Sequence, residues 1–194
     1  MNESSGSSPA TPNRPTQQVK PRRGFLKTSG LGAATALLAA TATTAAAKPG
    51  RPPARRAEGL GMPWEDQYGY AQAVQVGDTI YVSGQLSHDD KGNMVGPAKL
   101  DASGRIADHA NMEVQMRQTY ANAKKILARF GASLADVVEE VLYVTDMETA
   151  FAAAGPVRKE AYGSQKPKVA STILVTPRLA LPTQLIEIKF VAKV

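Results

Sequence analysis

The chain has no cysteine and only two histidines among its 194 residues. The lack of cysteine excludes a disulfide framework, a thiolate nucleophile and a cysteine-ligated metal site. With so few histidines, few catalytic triads are possible, and the sequence contains no glycine-rich phosphate loop and no nucleophile elbow. We therefore expect a protein that works without a metal or any other cofactor.

Histidine and acidic residues come close together at two places, but neither place predicts a metal site. His88 precedes Asp89 and Asp90 in a polar turn, and His109 and Glu113 have the i,i+4 spacing of a helix. A third ligand of suitable spacing is missing in both cases. We interpret both histidines as belonging to solvated turns or helix starts.

The basic residues are concentrated in the N-terminal part of the chain. Residues 1–47 carry five basic residues against one acidic residue, and residues 48–56 add four basic residues and no acidic one. Residues 57–194 carry 14 basic residues against 16 acidic ones. Because no basic surface is expected on this larger part, the net charge of +6 does not predict nucleic-acid binding.

The N-terminus has the three-part layout of a secretory signal. Residues 21–27 read PRRGFLK, an Ala/Thr/Gly-rich segment follows, and three alanines at 45–47 fit a cleavage site. The paired arginines resemble a bacterial twin-arginine signal. The apolar segment is too weakly hydrophobic for a good membrane span. We predict a cleaved signal over residues 1–47, export to the periplasm or the outside, and no stable membrane anchor after cleavage.

Residues 48–61, rich in proline, glycine and arginine, predict a flexible linker before a single domain at 62–194. Apolar residues at spacings of three and four, and β-branched runs, define the elements. Strands are expected at 67–76, 79–86, 137–145, 169–175 and 185–191, and helices at 109–130 and 146–162. The second helix is expected to kink or start late, because Pro156 lies inside it. The order β-β-α-β-α-β-β predicts an α+β fold with one mixed sheet and two helices on one face.

The strand patterns place apolar side chains on both faces of this sheet. Ile80 and Val82 alternate with Tyr81, and the apolar residues of the last strand are opposed by Leu185 and Val191. Two helices can cover only one face. An uncovered apolar face in a soluble protein predicts association with another copy, so we expect a homo-oligomer.

Four segments in order resemble one known family. They are YGYAQAV at 68–74, YVSGQL at 81–86, the long stretch QMRQTYANAKKILARFGASLADVVEEVLYVTDMETAF at 115–151, and LIEIKFVA at 185–192. Together they resemble the RidA family, also called the YjgF/YER057c/UK114 family. The resemblance implies a chorismate-mutase-like fold, a homotrimer whose sheets form an inner barrel, and ligand sites in clefts between subunits. Deaminase members of the family hydrolyse imines or enamines derived from amino acids.

The same resemblance assigns roles to particular residues. Glu187 matches the glutamate that positions the attacking water, and Tyr70 matches a tyrosine of the pocket. Ser83 and Gly84 match the turn whose backbone lines the pocket. The residues themselves leave other interpretations open: Glu187 could pair with Lys189 on a wet strand face, Tyr70 could be a wall aromatic, and Ser83-Gly84 could be a bulge or a strand end.

The resemblance also points to a departure from the family. Its substrate-binding arginine corresponds here to Ala170, or to Thr172 if no gap is allowed, and neither side chain can hold a carboxylate by a bidentate charged bond. This makes imino acids derived from amino acids poor expected substrates. Ser171 and Thr172 are candidates for hydrogen bonds to the substrate. Lys168 and Arg178 are close in sequence to this position. Whether either one replaces the arginine is left open by the sequence.

Two functions follow as expectations. The first is an exported hydrolase of the imine or enamine deaminase type that acts on a small molecule in clefts between subunits. The alternative is a non-catalytic homotrimer that binds a small molecule or a protein. A ribonuclease activity, assigned to some family members, ranks third, because no basic surface is expected on residues 57–194.

Overall fold

Alternating apolar residues build one six-stranded sheet in a computed structural model, which describes residues 54–194. The strands and helices follow in chain order: β1 (Arg55–Glu58), α1 (Pro63–Tyr68), β2 (Ala73–Val76), β3 (Thr79–Gln85), α2 (Met112–Ala128), β4 (Val137–Val144), α3 (Met147–Tyr162), β5 (Ala170–Val175) and β6 (Ile186–Lys193). The sheet order is β1-β2-β3-β6-β4-β5, and all neighbours are antiparallel except the parallel pair β4–β5.

Helices α2 and α3 pack together on one face of the sheet and enclose the core. The buried stripe of α2 recurs at helical spacing, as expected from its apolar pattern, and includes Met116, Tyr120, Ala123 and Leu127. It meets the inward residues of the strands, among them Phe190. The predicted α+β fold, with a mixed sheet and two helices over one face, is confirmed.

Helix α3 is one continuous helix, so the late start expected from Pro156 is wrong. Asp146 fixes its beginning, because the carboxylate accepts a hydrogen bond from the backbone N–H of Thr149 at 2.8 Å. The helix runs from Met147 through the proline to Tyr162. Capping and the burial of Val157 against the core outweigh the one backbone hydrogen bond that a proline cannot donate.

Two elements at the start of the described chain differ from the sequence expectation. Residues 55–58, inside the predicted linker, form β1 and pair with β2. Arg56 anchors this strand: its guanidinium donates to the carbonyl oxygen of Arg129 at 2.6 Å and lies 5.0 Å from the ring centre of Phe130. The strand expected from residue 67 begins only at Ala73, because the residues before it form α1.

The open face of the sheet is less apolar than the sequence suggests. It carries exposed or half-buried Tyr81, Tyr143 and Leu174, but β6 contributes Glu187 and Lys189 to it. Leu185, which we expected on this face, lies before β6 and is fully buried. No helix within residues 54–194 is long and apolar enough to cross a bilayer.

Candidate functional site

A β-bulge in β3 sets the geometry of the candidate site. Val82 pairs with Phe190 and Gln85 with Ile188, so β3 has one more residue than β6 between these pairs. The interpretation of Ser83-Gly84 as a bulge is confirmed. A bulge twists its strand and redirects its side chains, here directly beside Glu187 on β6.

Gly84 is required by the position of the Glu187 side chain. A Cβ on residue 84 would overlap the carboxylate and lie 2.7 Å from Cγ of Glu187. The φ angle of Gly84 is not positive, so space and not backbone conformation demands glycine here. The bare backbone at YVSGQL therefore makes room for the carboxylate of the same chain.

The carboxyl group of Glu187 is half-buried and has one neutral partner. Gln184, itself fully buried, donates from Nε2 to Oε2 of Glu187 at 3.2 Å and to the carbonyl oxygen of Ile186 at 3.1 Å. Burial raises the pKa of Glu187, and the hydrogen bond from Gln184 offsets this only in part. A desolvated carboxyl group without a cation, whose pKa is raised, is suited to accept and return a proton.

Glu187 lies in a cleft of about 300 Å³ with apolar and aromatic walls. The cleft is lined by Trp64, Tyr68, Tyr70, Ser83, Gly84, Leu86, Ala180, Leu181 and Glu187. Helix α1 and the segment after it supply the aromatic side, and the bulge and β6 supply the polar side. This arrangement of one acid in a mostly apolar concave site is typical of a small-molecule site.

Tyr70 lines the cleft as an uncharged hydroxyl. Burial raises its pKa, and the nearby Glu65 and Glu187 raise it further, with Trp64 acting in the opposite direction. The phenol therefore stays protonated at neutral pH and can donate a hydrogen bond. Tyr70 and Glu187 line the same cleft, and the role of Tyr70 stays a prediction.

Ser83 lines the cleft, but its hydroxyl is already engaged. It donates to the carbonyl oxygen of Ala71 at 2.9 Å, while the backbone N–H of Ser83 donates to Gln72 at 2.8 Å. These bonds fix the segment that follows Tyr70. In this chain Ser83 orients the wall of the cleft, and its hydroxyl proton is not free to bind a ligand.

The structure separates Ser171 from the cleft. Ser171 pairs with Glu140 on the helix-covered face of the sheet and accepts a hydrogen bond from Arg158 at 2.7 Å. Thr172 points to the open face, but it lies on the edge strand β5 and does not line the cleft of its own chain. Within one chain, the alternation along β5 turns Ser171 away from the cleft, and its assignment to substrate binding stays a prediction.

Neither cation that could replace the family arginine reaches the cleft within one chain. Arg178 lines a different cavity of about 460 Å³, together with Arg105 and His109. Ala170 and Lys168 are exposed at the start of β5 or just before it and line neither cavity.

His88 is buried, which corrects its interpretation as a solvated turn residue. Its ring packs edge-on against Trp64, with 5.1 Å between ring centres, and its Nδ1 lies 2.8 Å from the carbonyl oxygen of Asp89. It supports the aromatic wall of the cleft. Within residues 54–194, no cluster of three or more histidine, aspartate or glutamate side chains could hold a metal ion.

Sequence reasoning missed Trp64, Tyr68 and Gln184. Trp64 is the one tryptophan of the chain, and its indole N–H is buried near the Tyr70 hydroxyl without a partner in hydrogen-bonding geometry. Tyr68 is 72% exposed. The sequence pattern that could have indicated this aromatic wall is Pro63-Trp64, typical of a helix start, followed closely by Tyr68 and Tyr70.

A second buried carboxylate lies on the helix-covered face of the sheet. Glu140 on β4 is fully buried and accepts hydrogen bonds from the hydroxyls of Tyr120 at 2.9 Å and Tyr162 at 3.0 Å, and from Nε of Arg158. Burial and the charge of Glu140 raise the pKa of both tyrosines. The cluster ties β4 to α2 and α3.

Comparisons with known proteins agree on one family. The family model described as Endoribonuclease L-PSP matches residues 65–194. A 2-iminobutanoate/2-iminopropanoate deaminase of Dermatophagoides farinae is 33% identical over 98 residues, which are 50% of this chain and 66% of the relative. A RutC family protein of Pyrococcus horikoshii is 33% identical over 124 residues, which are 63% of this chain and 85% of the relative.

Solved structures show the same fold. A Mycobacterium tuberculosis member of the YjgF/YER057c/UK114 family superposes with a TM-score of 0.56 and 27% identity, covering 73% of this chain and all of that one. A Thermotoga maritima protein described as a putative endoribonuclease gives a TM-score of 0.53 and 27% identity, covering 71% of this chain and 91% of that one.

Proposed function

Because the chain belongs to the Endoribonuclease L-PSP family, which includes the RidA and YjgF proteins, we propose that it is a hydrolase of small imines or enamines. The observation that carries this proposal is the half-buried Glu187 carboxyl group, held over Gly84 with one neutral partner. The deaminase from Dermatophagoides farinae supports the reaction type.

The reaction adds water across a carbon–nitrogen double bond. Glu187 orients a water molecule and takes one proton as the oxygen bonds to the imine carbon, while the electron pair of the double bond moves to nitrogen. Glu187 returns this proton to nitrogen, which gives a carbinolamine. Glu187 then takes the proton of the new hydroxyl group and passes it to nitrogen as the carbon–nitrogen bond breaks, so that a carbonyl compound and ammonia leave. Tyr70 stays neutral throughout and donates a hydrogen bond to the reactants.

We place the working site in a homotrimer. The open sheet face exposes Tyr81 and Leu174, 50% and 38% exposed, which supports burial against other copies. Thr172 on the edge strand would then face a cleft of a neighbouring copy. Residues 1–47 lie outside the described residues, and we propose that they export the chain to the periplasm or beyond.

The test is Glu187→Gln in the full chain. Imines are generated in situ by an added amine oxidase or amino-acid oxidase, which uses O2 to oxidise the parent amines and amino acids. Ammonia release is measured above the spontaneous rate. We expect turnover to fall by about 10²- to 10³-fold, because the water loses its base, while the oligomeric state stays unchanged. Glu148→Gln is the matched control, since Glu148 is an exposed acid on α3, and it should keep full turnover.

A variant Glu187→Gln with undiminished turnover would remove Glu187 from the mechanism. A wild-type protein that binds ligands in the cleft but hydrolyses none of the imines would favour the second candidate, a non-catalytic binding trimer. The charge balance favours that candidate over nucleic-acid cleavage, because 16 acidic residues outnumber 14 basic ones in residues 57–194.

A further inference from the structure

Within one chain, the cleft around Glu187 is lined by one carboxyl group and by no cationic side chain. Three of the nine lining residues are aromatic and three are aliphatic. Arginine and lysine, the usual partners of a bound carboxylate, are absent from the lining contributed by residues 54–194. A ligand with a carboxylate would bring a second anion beside Glu187 in a partly dehydrated site, which is unfavourable.

Lys189 does not supply the missing cation to this cleft. It lies two residues beyond Glu187 on the same face and lines a neighbouring depression of about 420 Å³, together with Tyr81 and Tyr143. Its side chain is exposed, and no positive charge contributes to the pKa of Glu187. The two depressions share Ser83, Gly84 and Glu187 but differ in their other lining residues.

The aromatic residues that line the cleft together with Glu187 are suited to a cation with an apolar body. Tyr68, Tyr70 and Trp64 present aromatic surface there, and Tyr68 is largely exposed without covering contacts in the described chain. Aromatic faces attract ammonium and related cations, most strongly where water is partly excluded. A carboxylate and aromatic rings in the same cleft are the two kinds of partner that such a cation needs.

We infer that the cleft selects iminium or ammonium compounds that carry an aromatic or apolar group and no carboxylate. The inference rests on the proposed function for the reaction, but it concerns the ligand that the cleft binds. It makes 2-iminobutanoate, which carries a carboxylate, a poor ligand of this chain. It also assigns Trp64, Tyr68 and Glu187 together as the residues that set specificity.

The test uses three probes with the same ring and different charge: benzylamine, benzyl alcohol and benzoate. Trp64 is the single tryptophan, so its fluorescence in the full chain reports occupancy of this cleft directly. For ligands of this size we expect a Kd of about 1 mM for benzylamine. Benzylamine should bind at least about tenfold more tightly than benzoate, with benzyl alcohol between them, because the ring is shared and the charge of the attached group changes from positive through neutral to negative.

Two variants test which residues cause the preference for benzylamine over benzoate. Glu187→Gln should reduce the preference for benzylamine over benzoate to within about threefold, because the attracting charge is gone. Tyr68→Ala, at a largely exposed position that tolerates truncation, should weaken benzylamine by about two- to fivefold and leave the unfolding midpoint unchanged. Lys189→Gln is the matched control on the same face and should leave the preference within about twofold.

Benzoate binding as tightly as benzylamine would overturn the inference, and so would a preference that persists in Glu187→Gln. Failure of benzylamine to bind at roughly 20 mM would also overturn it. These results are separable from the proposed hydrolysis, because binding is read without turnover. Charge-selective binding without hydrolysis of any imine would sustain the inference and remove the proposed reaction. Hydrolysis of 2-iminobutanoate together with tight benzoate binding would support the proposed reaction and overturn the inference about the ligand.

Discussion

Glu140 and Glu187 lie on the neighbouring strands β4 and β6, on opposite faces of one sheet, and their surroundings differ in charge. Glu140 is fully buried under α2 and α3, where an arginine and two tyrosine hydroxyls bind it. Glu187 is half-buried on the open face, where one neutral amide binds it. The sequence gives both residues the same chemical group, so the difference lies in their partners.

Glu140 has the surroundings of a structural carboxylate, and Glu187 has those of a carboxylate that is available for chemistry. A buried charge with a full set of partners holds elements together, and losing one partner is costly. A desolvated carboxyl group with an incomplete set of partners is not optimised for stability, and such groups are found at functional sites. The helix-covered face therefore stabilises the fold, and the open face carries the candidate site.

The largest effect is expected from Arg158→Met on the helix-covered face. The substitution leaves Glu140 fully buried without its cation, so we expect the free energy of unfolding to fall by about 3 kcal/mol. Chemical denaturation of the variant and the wild-type chain measures the difference. Arg105→Met is the matched control, because its pair with Asp101 at 3.4 Å is exposed, and it should change stability by less than about 0.5 kcal/mol. Equal losses in the two variants would contradict a structural role for the Glu140 cluster.

A smaller effect is expected from Gly84→Ala on the open face. The new Cβ overlaps the Glu187 side chain, so the carboxylate must move, at a cost of about 1–3 kcal/mol in stability. The rate of imine hydrolysis should fall together with the stability. Gly155→Ala in α3 is the control, because a Cβ there meets nothing within 4 Å, and it should raise stability by about 0.5–1 kcal/mol. A Gly84→Ala protein with unchanged stability and turnover would show that the Glu187 side chain does not depend on a glycine at residue 84.

Local patterns were sufficient for the main elements of the fold. The apolar stripe of α2 and the alternation in β3 and β6 are set by residues close in sequence, and their predicted positions agree with the structure to within a few residues. β1 could not be found in this way. Its sequence RRAE is polar, and it becomes a strand because it pairs with β2 and because Arg56 reaches the end of α2, 73 residues away.

The candidate site was predictable by residue type and not by geometry. Resemblance pointed to Glu187 and Gly84 separately, but their mutual fit depends on the β3–β6 pairing and the bulge, which are long-range features. The face of Ser171 could not be predicted, because residues 170–172 are all small or polar, so their alternation gives no sign of which side faces the core. Gln184 was missed because a glutamine before a strand carries no local signal for its buried hydrogen bond.

The smallest expected effect is the pH dependence that Glu187 gives to the chain. Burial holds its pKa above the value of about 4.3 expected in the unfolded chain. The folded protein therefore binds this proton more tightly than the unfolded chain does. The resulting contribution to stability is full below the unfolded pKa and is lost as the pH rises through the folded value. Above that pH, the ionised group opposes folding slightly, as expected for a carboxylate without a cation.

The most direct test of this account is the titration of the Glu187 carboxyl group itself. Its carbon resonance can be followed by NMR in the folded chain labelled at glutamate side chains, and assigned by its absence in Glu187→Gln. We predict a midpoint above the ordinary glutamate value of about 4.3, as burial with one neutral partner requires. A midpoint at or below that value would mean that the carboxylate is solvated or paired with a cation, which contradicts the distinction between the two faces of the sheet.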